Sequence, residues 1–187
     1  MEDATVVAKG SKTPANPKAV STSPVASLVE EGVAAKYTKN DPAAARAAWE
    51  KALGRLEEKG VTPMDRYQVH AGLGMLHAEQ KEYDRARDLF KQAVTASREI
   101  TDNLKPLSYS HYNLACAEAL LGEREAALAD LRAALQAERK TERRKYVKLA
   151  ETDDSLAALK DDPRFRSLLE EFAESPKPAP SIPEGKR

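Results

Sequence analysis

Small and apolar residues return along this chain at one fixed interval. Ala45, Trp49, Ala52 and Leu53 hold the same relative positions as Ala86, Phe90, Ala93 and Val94, and as Ala127, Leu131, Ala134 and Leu135. Each copy lies 41 residues beyond the last. Within a copy the apolar positions follow i, i+4, i+7 and i+8, which is one face of an α-helix. A core pattern that repeats at a period of tens of residues builds a stack of like units rather than one closed core.

Punctuation between the apolar stretches predicts alternating helices. The first runs over about 24–38. Asp41-Pro42 supplies an N-cap and a first-turn proline for a second, which reaches about 59 and closes at Gly60. Thr62-Pro63 opens a third to about 80, a fourth spans about 82–100, residues 103–106 break the chain, and a fifth spans about 107–121. Gly122 turns into a sixth, ending near Arg139. Such short connections make neighbours antiparallel, so each pair is a helical hairpin. Beyond them, Tyr146, Leu149 and Ala150 share a face, Leu156 and Leu159 follow, and Asp162-Pro163 opens a helix with Phe165, Leu168, Leu169 and Phe172 at i, i+3, i+4 and i+7. This last stretch is expected to cover the exposed face of the third hairpin.

Composition agrees with an all-α reading. Charged residues make up 32% and aromatics 5% of the 187 residues, and between the ends Ala, Leu, Glu, Lys and Arg dominate. Thirty basic residues balance thirty acidic ones, which argues against a general nucleic-acid binder. A single cysteine, Cys116, excludes an intramolecular disulfide and a cysteine zinc cage. No apolar run is long enough to span a bilayer. Residues 1–20 carry Glu2, Asp3, Lys9, Lys12, Pro14 and Pro17 and no apolar core of an export signal, so a cytoplasmic location is expected; a signal removed upstream would make it periplasmic instead. Residues 1–23 read as a flexible leader and 173–187 as a disordered proline-rich tail.

The hairpins resemble tetratricopeptide repeats (TPR). That family places Leu-Gly-x2-Tyr on the first helix of each hairpin and Ala-x3-Phe on the second. Leu73-Gly74 with Ala86 and Phe90 follows the pattern, and Leu114-Ala115 with Ala127 and Leu131 follows it within YNLACAEALLGEREAALADL. Gly32-Val33 stands where the first copy should have Leu-Gly. Lys36, His77 and Glu118 replace the tyrosine, and the interval is 41 residues where the family's is usually about 34. The resemblance implies an all-α, TPR-like α-solenoid over 24–172: repeats at about 24–60, 62–102 and 105–140, then a helical cap over 141–172. The Ala-, Arg- and Glu-rich composition suggests a bacterial member.

In this family the first helices of successive hairpins line a concave groove that takes an extended peptide or a helix. By that resemblance the groove would present Tyr37, then Gln68, Met75 and Glu79, then Tyr109, Tyr112, Asn113 and Cys116. Tyr112 and Met75 have packing against the terminal helices as an equal alternative. Of the cationic and amide set with which some relatives grip a chaperone C-terminus, only Asn113 is present, so that partner is not expected. Arg139, Lys140, Arg143, Arg144, Lys145 and Lys148 form the strongest charge cluster, a candidate patch for an acidic partner or else a solvated helix end.

Chemistry is not expected. His70 and His111 stand 41 apart and so occupy one recurring structural slot, while His77 has no third ligand at zinc spacing. Gly72-x-Gly74 has no strand before it and reads as close helix packing, not a phosphate loop. Cys116 has nothing beside it in sequence to lower its pKa. The expected function is a non-catalytic adaptor or scaffold, without cofactor or metal, that captures a segment of another protein. An assembly factor for an envelope, pilus or secretion complex is the alternative, and homo-oligomerisation is left open.

Overall fold

The computed structural model describes residues 23–173, with the backbone alone at positions 140 and 141. Eight α-helices and one 3-10 segment fill it, and no strand occurs among the described residues. They are α1 (Ala26–Tyr37), α2 (Pro42–Leu53), α3 (Pro63–Glu79), α4 (Tyr83–Ser97), α5 (Lys105–Leu120), α6 (Arg124–Ala137), α7 (Lys140–Thr152), the 3-10 segment Asp154–Leu159, and α8 (Pro163–Ala173). The fold is an all-α, TPR-like solenoid in which α1/α2, α3/α4 and α5/α6 pack as successive hairpins. The predicted starts hold at their caps. Asp41 Oδ1 accepts from the Ala44 N–H at 2.9 Å, and Thr62 and Asp65 form a reciprocal capping box.

Three boundaries differ from expectation. Helix α2 ends at Leu53, six residues early, because the chain turns at Gly54 and drops Leu56 and Val61 into the core instead of carrying them around a straight helix. Helix α5 starts at Lys105, with Pro106 in its first turn, where a missing N–H costs nothing. Helix α7 starts at Lys140, one residue ahead of the cap's expected start at 141.

The 41-residue interval is visible in the backbone. Asn40, Lys81 and Gly122 all take positive φ, at 53°, 62° and 79°, each in the turn between a hairpin's two helices. After the turn, the Glu82 N–H donates to the His77 carbonyl and that of Glu123 to Glu118, a step of five residues; Asp41 instead donates to Ala35, a step of six. The first hairpin's turn therefore holds one extra residue. This corrects the alignment of its first helix: Gly32, not Val33, is the partner of Gly74, and Ala35, not Lys36, matches His77 and Glu118.

Side-chain packing shows the same correspondence. A Cβ on Gly32 would lie 2.3 Å from Trp49 Nε1, and one on Gly74 would lie 2.7 Å from Phe90 Cε1. Each ring of the second helix thus fills the slot left by a first-helix glycine. Gly72 of the next hairpin meets Trp49 from the other side, 2.7 Å from Cη2. In the third hairpin the pair is Ala115 and Leu131, both fully buried. The far end is closed by α7, the 3-10 segment and α8, whose Val147, Ala150, Leu156, Leu159, Phe165, Leu168 and Leu169 form one core with Leu131 and Leu135.

Candidate functional site

Helices α1, α3 and α5 lie side by side as the first helices of their hairpins, and α7 continues the row. Five of the six tyrosines stand on these four helices: Tyr37 on α1, Tyr67 on α3, Tyr109 and Tyr112 on α5, and Tyr146 on α7. The Tyr109 and Tyr146 rings meet edge to face at 6.2 Å between centroids, and Tyr112 and Tyr146 meet at 5.9 Å. Burial raises the Tyr67 phenol, and the phenols of Tyr37, Tyr109 and Tyr146 raise it further. The Tyr37 hydroxyl donates to Met75 Sδ at 3.4 Å.

Tyr37 is 56% exposed, yet its phenol is pushed up to about 12, first by surrounding protein and then by Tyr109 and Glu79. Glu79 closes one side of this region through an ion pair with Lys36. Gln68 is half-buried, one residue beyond Tyr67.

Not all of the expected groove residues face outward. Tyr112 is 1% exposed, and its hydroxyl donates to Asp153 Oδ2 at 3.0 Å. Asp153 is buried too, and its Oδ1 accepts from the Ser155 N–H at the start of the 3-10 segment. Cys116 Sγ lies 3.7 Å from the same Oδ2, and burial pushes its thiol well up, with Asp153 adding to the effect. Asn113 is 5% exposed. The placing of Tyr112 and Asn113 on an accessible wall is thus corrected: both are buried, Tyr112 against the closing segment that carries Asp153. The structure gathers Tyr37, Met75, Glu79 and Tyr109, and adds Tyr67 and Tyr146. Strict 41-residue spacing from Tyr109 selects Gln68 and so passes over Tyr67 by one position, while Tyr146 lies on the apolar face assigned to the cap.

The basic cluster is partly built into the fold. Arg143 donates to the Glu138 carbonyl at 3.1 Å, and its guanidinium lies 5.1 Å from the Phe172 ring centroid. Lys145, exposed like Arg139, Arg144 and Lys148, pairs with Glu142. The side chain of Lys140 lies outside the described residues.

A second polar cluster sits inside the third hairpin. His111 Nδ1 is 2.6 Å from Asp130 Oδ1, and Glu118, which is 2% exposed, lies close enough to Asp130 for the two carboxyls to interact. Burial is the main reason that the Glu118 carboxyl is pushed up to about 8; Asp130 and Glu123 raise it further and Lys91 opposes them. Glu118 Oε2 finds no partner in the protein. The slot shared by His70 and His111 is filled differently in the two copies, since His70 Nδ1 is buried without a partner. Among the described residues no three His, Cys, Asp or Glu side chains converge as a metal site, and no helix is long and apolar enough to cross a membrane.

Comparison with curated proteins and with solved structures found no match. Two family models, each described as tetratricopeptide repeat, match residues 71–101 and 108–141. The matched stretches run from within α3 through α4, and across α5 and α6, the two hairpins whose glycine or alanine slots and turn geometry agree without the extra residue of the first. The hairpins α3/α4 and α5/α6 of this chain are thus tetratricopeptide repeats, packed in succession.

Proposed function

We propose that this protein is a non-catalytic interaction module that captures a segment of another protein along the row of α1, α3, α5 and α7. TPR repeats in general mark protein-interaction modules, and the observation that carries the finer reading is that aromatic side chains bridge neighbouring helices of the row, Tyr37 to Met75 across α1 and α3 and Tyr109 to Tyr146 across α5 and α7. Tyrosine gives a large rigid contact area with a polar tip at small ordering cost. The row is supported from behind by packed hairpins, so a partner would meet a preformed surface. Gln68, Met75 and Glu79 supply polar and adaptable contacts beside the rings.

The test is partner capture from a lysate of the native host, comparing the wild type with the full chain carrying Tyr37→Ala and Tyr109→Ala, its helicity checked by circular dichroism. Loss of a partner in the folded variant supports the row as the site. Retention of every partner overturns it and moves attention to Arg139, Arg144 and Lys148.

A further inference from the structure

Helix α7 carries its positive charge in the half where a helix tolerates it least. Its thirteen residues, Lys140–Thr152, hold five basic residues against two acidic ones, in a chain that balances thirty against thirty. All five lie between 140 and 148, and none in the last turn. The N-terminal end of a helix is the positive end of its dipole, so anions stabilise it and cations do the reverse. Helices α2 and α3 follow that rule, opening on Asp41 and on Thr62 with Asp65. Helix α7 opens on Arg139, whose side chain makes no cap.

Part of the cluster serves the fold. Arg143 turns back to the Glu138 carbonyl at the end of α6 and to the Phe172 ring. Arg144, Lys145 and Lys148 instead lie on the exposed face of α7, while Val147 and Ala150 turn into the core. Lys148 stands four residues from Arg144 and three from Lys145, spacings that bring like charges together on a helix and weaken it. Glu142 offsets Lys145 at 2.6 Å, but two acids cannot match five cations within the helix. A helix built against its own dipole is stabilised by whatever brings anions to this face.

We propose that the exposed face of α7 receives an acidic segment of a partner protein, with carboxylates set against Arg144 and Lys148. Those two positions are about 6 Å apart along the helix, at ~1.5 Å per residue. Alternate residues of an extended chain lie about 6.6 Å apart, so a strand-like segment with an acid at every second position fits both. A bilayer is the poorer match, because the apolar residues that would enter it, Val147 and Ala150, are buried in the core. The even charge of the whole chain disfavours nucleic acid. The proposal rests on the reading of the row, whose last helix is α7, for the partner being a protein segment, but not on the tyrosines.

The test is NMR of the isotopically labelled full chain at low salt. The probes are a blocked peptide of alternating Glu and Ser, its counterpart with Gln for Glu, and phosphatidylserine vesicles. The Glu peptide should move the signals of Arg144, Lys145 and Lys148 and slow the amide exchange of α7, and the Gln peptide should do neither. Arg144→Gln with Lys148→Gln should weaken the Glu peptide about tenfold, through loss of two surface ion pairs. The same double variant, without peptide, should slow α7 exchange below the wild-type rate, because it removes like-charge repulsion.

Glu-peptide shifts that are absent from α7, or matched by the Gln peptide, overturn the proposal. So does faster α7 exchange in the double variant, which makes the cations structural, and so do vesicles that move α7 signals where the peptide does not. Lysate capture separates the two readings. Partners lost from the Arg144→Gln, Lys148→Gln chain but kept by the tyrosine variant leave α7 standing and remove the tyrosines. The reverse pattern removes the acidic segment alone, and loss in both supports both.

Discussion

The first two hairpins and the third are locked by different physics. Around Trp49 and Phe90 the fit is steric: aromatic rings lie in slots opened by Gly32, Gly72 and Gly74, within an apolar core of Val29, Leu56, Val69 and Leu73. The third hairpin and the segments closing it carry Ser108, Ser110, His111, Asn113, Glu118, Glu138 and Asp153 as buried polar groups. There Leu131 replaces the ring, and hydrogen bonds from Tyr112 to Asp153 and from His111 to Asp130 join the elements. A steric lock is insensitive to pH and intolerant of added atoms. A polar lock tolerates changes of volume better but depends on protonation and on every partner being present.

Substitutions should separate the two. The largest loss is expected for Trp49→Ala, which empties a site shared by the first two hairpins and should cost about 3–5 kcal/mol in urea-unfolding free energy. Next comes Gly74→Ala. In an exposed helix this change stabilises by ~1 kcal/mol. Here the new Cβ meets the buried Phe90 ring at 2.7 Å, so the sign should reverse, with a loss of about 1–3 kcal/mol. A thermal melt above that of the wild type would show that the slot is not tight.

In the polar half, Tyr112→Phe should keep the shape but take the hydroxyl from Asp153, costing about 1–2 kcal/mol and exposing the closing segments to faster amide exchange before the first two hairpins. The smallest effect is one of pH. The Glu118 carboxyl has a folded value near 8 against an ordinary 4.5. Because the folded value is the higher one, this group's contribution is fully present below the ordinary value and is lost as pH rises through the folded value. Glu118→Gln can still donate to Asp130 but does not titrate. It should therefore flatten the decline of stability that the wild type shows between about pH 5 and about pH 9. An identical decline in the variant would remove Glu118 as its source. Trp49 and Gly74 variants should retain it.

The helical repeat and its caps were readable in the chain because they depend on local signals: Asp41-Pro42, Thr62-Pro63, and small residues at a constant interval. The candidate site was readable only in part. Tyr37, Met75 and Tyr109 are among the residues that the family resemblance implies. Tyr67 sits one place from the slot that spacing selects, and Tyr146 joins the row only because α7 packs beside α5. The burial of Tyr112 depends on the closing segments returning from some forty residues downstream, with Asp153 as its bonding partner.

The sequence by itself determined the helices, their pairing, and the aromatic and glycine positions, because helix periodicity and turn chemistry act over a few residues. Tertiary structure alone decided three things: the extra residue in the first turn, which tyrosines remain accessible, and the burial beside Asp130 that raises the Glu118 carboxyl. Each of these depends on groups far apart in the chain, whose distance and exposure to water are fixed only when the hairpins stack.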